Sequence, residues 1–187
     1  MASSEEQKRF VEALMPYAKQ MELRTGIPAE TTIAMAANET GWNLSNPVLF
    51  GIKGKGPKGK SDSFATWEVE GGQKVDMNDE FATYEGPGEA FGHLESEMTS
   101  DRYAAAPKKD PRQFAAHIQA QGWATDPNYA DKISAIARNV GEIQPRTSPG
   151  GSYLEDPEVR ALFEAAEYAR GVPDWRNAVL GGAQAGG

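Results

Sequence analysis

Three stretches of this chain hold residue types that do acid–base chemistry. In ANETGW, residues 37–42, Glu39 stands at the end of an apolar helical run, directly before Thr40, Gly41 and Trp42. The C-terminal end of a helix carries partial negative charge, which disfavours a further anion. A neighbouring indole and an apolar helix face thin the water around a carboxylate and act in the same direction. A carboxylic acid kept protonated near neutral pH can give its proton to a leaving oxygen. In WEVEGG, residues 67–72, Glu68 and Glu70 fall on one face of a strand, because side chains alternate with period two. Either suits the second carboxylate of a glycosidase pair, which activates water or stabilises positive charge at the anomeric carbon. In GWATDPNYA, residues 122–130, Asp126 suits a helix cap and Tyr129 lies in the first turn. Each of these residues also has a plainer reading: a Glu at a frayed helix end, the solvated face of a hairpin, a Tyr packed in the core.

Trp42, Phe50, Trp67 and Trp123 are candidates for stacking on the apolar faces of pyranose rings, with ordinary core packing as the alternative. Lys53, Lys55, Lys58 and Lys60 form a basic loop in an acidic chain, suited to carboxylates of a polyanionic substrate or simply to water. There is no cysteine, so thiolate metal sites and disulfides are excluded. His93 and His117 are far apart, and no metal or cofactor site is expected. No phosphate-cradling glycine motif is present. A net charge of -8 argues against nucleic-acid binding, which needs a basic face. No apolar run approaches the ~20 residues of a membrane span. The N-terminus, MASSEEQKRF, has neither the basic nor the apolar region of a secretory signal.

The elements that must position these residues are mostly helices. Ser3 with Glu6 reads as a capping box, followed by Phe10, Leu14, Tyr17 and Met21 at helical spacing to a stop at Gly26. A second helix starts at Pro28 and runs to about Thr40, with Ile33, Ala36 and Ala37 inward and Gly41 as its stop. Residues 43–63 read as a long loop with one apolar knot, Val48 to Ile52. Gly71-Gly72 between two apolar and aromatic runs predicts a hairpin over roughly 64–84. Further helices are expected over about 87–100, from Asp110-Pro111 to Gly122, and from Asp126-Pro127 to Gly141. IQPRTSPGGS, 143–152, has the composition of a linker, and 153–187 reads as a helical extension opening at Asp156-Pro157.

Taken in order, E-[ST]-G-W, L-F-G-I-K-G, a hairpin with E-x-x-G-G, F-x-x-Y at Phe81 and Tyr84, and G-W-A-T-D-P-x-Y-A resemble the bacterial and phage glucosaminidases, glycoside hydrolase family 73. That family includes the muramidase-like domain of the flagellar rod-cap protein and many autolysins. The resemblance covers about 6–141. It implies an α+β, mainly α, lysozyme-like fold, with a helical lobe, a β-hairpin lobe and a cleft between them, over a catalytic domain at 1–142. It implies cleavage of the β-1,4 bond between N-acetylglucosamine and N-acetylmuramic acid in peptidoglycan. The family's acid falls on Glu39, its hairpin glutamate on Glu68 with Glu70 as rival, and its motif tyrosine on Tyr129. Trp42, Phe50, Trp67, Trp123, Glu70 and Asp126 are then expected to bind substrate. The chain departs from the family pattern at Pro47 and Val48, which lengthen the segment before L-F-G-I, and in the Gly- and Lys-rich loop 53–61.

With no leader in sight, a phage-encoded enzyme is expected, an endolysin or a virion component, made in the host cytoplasm and acting at the wall. The extension 153–187 is then a possible anchor to other virion proteins. Two other readings stay open: a lytic transglycosylase or muramidase on the same polymer, and a non-catalytic wall-binding or virion structural protein.

Overall fold

The Ser3 hydroxyl accepts from the Glu6 amide, and the Glu6 carboxylate accepts from the Ser3 amide at 2.7 Å. This closes the predicted capping box and starts α1, Ser4–Thr25. α1 ends where predicted, at Gly26, whose φ of 75° lets its N–H reach the Glu22 carbonyl. A computed structural model describes residues 2–70 and 73–143; for 66–70 and 74–77 it describes the backbone alone. Ile143 still belongs to the last helix; the rest of the expected linker and the extension 153–187 lie outside the described residues.

α2, Ala29–Thr40, is the centre of the core. The predicted inward face was Ile33, Ala36 and Ala37, but Ala29, Thr31, Thr32, Ala34 and Met35 are buried as well. A helix apolar or small on every side can be surrounded. α1 and α5 pack against it, and α1 also meets α3, Pro87–Met98. α4, Pro111–Ala120, opens as predicted with Asp110 capping the Gln113 amide at 2.9 Å, and it packs on α5, Tyr129–Ile143. α5 starts two residues beyond the expected Pro127, because 127–128 form a turn. Fully buried Phe10, Leu14, Met21, Ile33, Leu94, Phe114 and Ile133 fill the space between these helices. Each such side chain contributes roughly 1.5–3 kcal/mol by leaving water.

The hairpin begins earlier than the predicted residue 64 and ends before the predicted residue 84. β1, Ser61–Glu70, pairs antiparallel with β2, Gln73–Ala82, from Ser61 opposite Ala82 to Glu70 opposite Gln73. The segment read as a long loop is tied to it. The Ala82 amide donates to the Ile52 carbonyl at 2.8 Å, and the Gly54 amide to the Glu80 carbonyl at 2.7 Å. Lys53 thus bridges Phe81 on the open side of β2. Leu49, Phe50 and Ile52 are buried, so this strip joins the helical core to the hairpin. A cleft opens along that junction.

The basic loop is corrected by the structure. Lys53 pairs with Asp79 at 2.6 Å, Lys60 with Glu85 at 2.7 Å, and Lys58 also with Glu85. Three of the four lysines thus hold the loop to the hairpin base rather than offering a row of free cations. The Glu85 carboxyl, held first by Lys58 and then by Lys60, is lowered to about 2.

Candidate active site

α2 ends in an abrupt reversal. Gly41 and Trp42 have φ of 61° and 68°, both left-handed. For Trp42 this conformation costs roughly 1–2 kcal/mol. Contact with Phe10 offsets that cost, with ring centroids 5.5 Å apart at an edge-on 71°. The turn sends the indole back to α1, so Trp42 lines no part of the cleft, contrary to its expected role in stacking on sugar and in shielding Glu39.

Glu39 itself lies at the centre of the cleft. Two chambers meet at its carboxylate, one of about 190 Å³ and one of about 730 Å³. Glu39, Gly51 and Phe81 belong to both. The smaller chamber adds Asn46, Val48, Phe64 and Ala65, from the loop after α2 and from β1. The larger adds Trp123, Asp126 and Tyr129 among others. Glu39 keeps open surface toward the cleft, while protein crowds its flanks. Loss of water on those flanks pushes its pKa above the ordinary 4.5; the Asn38 amide, donating to Oε1 at 3.3 Å, pulls the other way. The crowding is closest at Gly51. With φ of 62°, Gly51 brings its backbone so near that a Cβ there would sit 2.7 Å from Glu39 Oε2. A glycine is required on both counts.

Tyr129 is 2% exposed, and among the described residues its hydroxyl has no hydrogen-bond partner. Burial raises its pKa first, and the nearby Glu39 charge raises it further. Trp123 opposes the rise, although its indole N–H does not reach ordinary hydrogen-bond geometry with the hydroxyl. An unpaired buried hydroxyl on a cleft wall costs about 1–3 kcal/mol unless a ligand or water satisfies it. Trp123 is half-buried and stands edge-on to Tyr103, centroids 5.6 Å apart, with part of its surface on the cleft. Asp126 also lines the larger chamber, but both its oxygens are engaged. Oδ1 accepts from the Asn128 amide at 2.9 Å and Oδ2 from Lys132 at 2.5 Å, and these bonds lower its pKa, Lys132 most. Asp126 therefore shapes the wall more than it presents a free acceptor.

Phe50 borders the larger chamber but is packed as core rather than presented as a stacking surface. It is 1% exposed and packs edge-on to Phe91 at 5.0 Å. The side chains of Trp67, Glu68 and Glu70 lie outside the described residues; the backbone puts Glu68 opposite Val75. Pro47 and Val48, the departure from the family pattern, fall beside the smaller chamber, which Val48 lines. Gly51 and Phe81 entered the sequence reading only as members of the L-F-G-I-K-G and F-x-x-Y motifs, with no site role, and Phe64 and Arg102 were not singled out at all. Among the described residues no group of three or more acidic or histidine side chains gathers to hold a metal, and no helix is long and apolar enough to cross a membrane.

Several known proteins are similar to this chain. The family model described as Glucosaminidase, mannosyl-glycoprotein endo-beta-N-acetylglucosaminidase, matches residues 15–142. The peptidoglycan hydrolase FlgJ of Pseudomonas aeruginosa is 34% identical over 75% of this chain and 38% of its own length. The exo-glucosaminidase LytG of Bacillus subtilis is 31% identical over 71% of this chain and 51% of its own. The chain thus spans about half or less of these curated relatives. A peptidoglycan hydrolase mutant from Sphingomonas sp. A1 superposes with a TM-score of 0.65 and 33% identity, over 73% of this chain and 97% of that one. The truncated glycoside hydrolase domain of Salmonella typhimurium FlgJ gives 0.55 and 28%, over 74% and 99%. All four are bacterial proteins and lend no support to the expected phage setting.

Proposed function

The chain belongs to the glucosaminidase family of glycoside hydrolases, and from that premise we propose that it hydrolyses the β-1,4 bond between N-acetylglucosamine and N-acetylmuramic acid in peptidoglycan, with Glu39 as general acid. One observation carries the assignment of the acid. Glu39 is the carboxylate at which both chambers of the cleft meet, and the protein crowding it shifts its pKa upward. A glycan lying along the cleft would cross it there.

In this reading Glu39 protonates the glycosidic oxygen as the bond breaks, and positive charge builds on the sugar ring. Glu68, with Glu70 as its rival on the same strand, is the candidate to activate water from the opposite face. Inversion by that route needs carboxyls ~6.5–9.5 Å apart. Alternatively the substrate's own acetamido oxygen attacks, and the unpaired Tyr129 hydroxyl holds it. The orphaned state of that hydroxyl supports the second route. Trp123 offers the aromatic surface beside it.

The test is digestion of purified peptidoglycan by the unsubstituted chain and by Glu39→Gln, with products reduced by borohydride and identified by mass spectrometry. Reduced N-acetylglucosamine ends from the unsubstituted chain alone are expected. Reduced muramic ends would replace the proposed bond with the neighbouring one, and anhydro ends would replace hydrolysis with transglycosylation. No products on several wall types would leave only a binding or structural role.

A further inference from the structure

The larger chamber has three cations on its wall, and they are not equivalent. Lys53 is paired with Asp79 and Lys132 with Asp126. Arg102 is different. Its Nε donates to the Gln121 carbonyl, a neutral acceptor, at 2.7 Å. Its guanidinium lies over the Tyr103 ring, 5.2 Å from the centroid. Against Gly122, whose φ is 87°, an added Cβ would stand 2.7 Å from Nη2. The group is therefore held on three sides, by a hydrogen bond, a ring face and a bare backbone. Among the described residues no carboxylate lies within ion-pair distance of it. Glu97 shares the wall, but the side chain it approaches is the His93 imidazole, at 3.9 Å.

A pinned guanidinium without an anion is a poor way to stabilise a fold and a good way to bind one. Its fork of terminal N–H groups matches a carboxylate in geometry and charge. Little rotamer entropy remains to be lost on binding. Resting on the glucosaminidase reading above, we propose that Arg102 is a specificity-determining residue that binds a carboxylate carried by the muramic acid unit of the glycan. N-acetylglucosamine has no such group. Muramic acid has two sources, the lactyl carboxylate when it is free and the carboxylates of the peptide stem when one is attached. In this acidic protein, Arg102 gives the chamber a direction, drawing the muramic side of the strand to the Trp123 end of the cleft.

The experiment measures calorimetric binding to Glu39→Gln, with and without Arg102→Gln. Three probes are used: a stem-bearing muropeptide, its stem-free disaccharide with a free lactyl group, and neutral chitotetraose. Loss of the charge-assisted pair should weaken binding of at least one carboxylate-bearing probe about tenfold and leave chitotetraose unchanged. Which probe responds identifies the carboxylate. Arg102→Lys should restore only part of the loss, since an ammonium lacks the fork. Equal weakening of all three probes, no weakening of any, or no binding of any would overturn the proposal. Failure of the unsubstituted chain to cleave peptidoglycan would instead sink the hydrolase reading, while the binding series still decides on Arg102.

Discussion

Replacing Gly51 with alanine should separate two costs that the fold imposes at one position. The first is conformational. At φ of 62° a Cβ meets its own backbone, at roughly 1–2 kcal/mol. For a chain of this size each kcal/mol lowers Tm by about 2–4 °C, so a fall of about 2–8 °C is expected. The second is local to the acid. The new methyl would stand 2.7 Å from Glu39 Oε2 and 3.1 Å from Cδ, well inside contact, and the carboxylate is the part free to move. A displacement near 1 Å can cost about a hundredfold in rate. We predict that loss in kcat, with KM little changed, because the chambers keep their walls. Gly54 supplies the control. Its φ is 86°, yet nothing lies within 4 Å of a Cβ built there. Gly54→Ala should lose similar stability and keep its activity. Thermal melts and hydrolysis of soluble glycan strands by both variants decide the matter. Full activity in Gly51→Ala, or an equal loss in Gly54→Ala, would show that closeness to Glu39 does not matter.

Other perturbations read other parts of the account. Tyr129→Phe removes a buried hydroxyl that has no partner, so Tm should hold or rise while kcat/KM falls about tenfold or more; a melt that drops by several degrees would mean the hydroxyl is bonded in the free protein. Since burial raises the Glu39 pKa, the stability linked to its protonated form is complete below the ordinary 4.5 and is lost as pH rises through the folded value. Denaturant titrations should therefore show Glu39→Gln gaining on the unsubstituted chain as pH climbs from 4.5 through the folded value, and a constant difference between pH 3 and 8 would contradict the upward shift. Asp110→Ala removes the cap of α4 and should cost ~1 kcal/mol by denaturant unfolding, with kcat unchanged.

Features settled by near neighbours in the chain were legible from sequence. The Ser3–Glu6 box, the Gly26 stop and the Asp110 cap each depend on residues within four positions, and all are present. So was the end of α2 at Thr40, which sets Glu39 in its last turn. What sequence did not reveal depends on where the chain goes next. Trp42 turns away from Glu39 because two successive left-handed residues aim it at Phe10 in another helix. Phe50 looked like a sugar platform, but burial against Phe91, distant in sequence, makes it core. The lysine run looked free because its partners, Asp79 and Glu85, lie 25 or more residues further on. The contact of Gly51 with Glu39 and the seat of Arg102 on Tyr103 and Gly122 are visible only once the strip after α2 and the turn after α4 are folded.

The central claim is that a protonated Glu39 delivers the proton. The most direct measurement follows its carboxyl carbon by NMR in protein labelled at glutamate, assigned by its disappearance in Glu39→Gln, alongside the pH dependence of kcat/KM. A Glu39 pKa above the ordinary 4.5 is expected, with the alkaline limb of kcat/KM falling at that same pH. A pKa at or below 4.5, or a limb that stays in place when Glu39 is replaced, would contradict it.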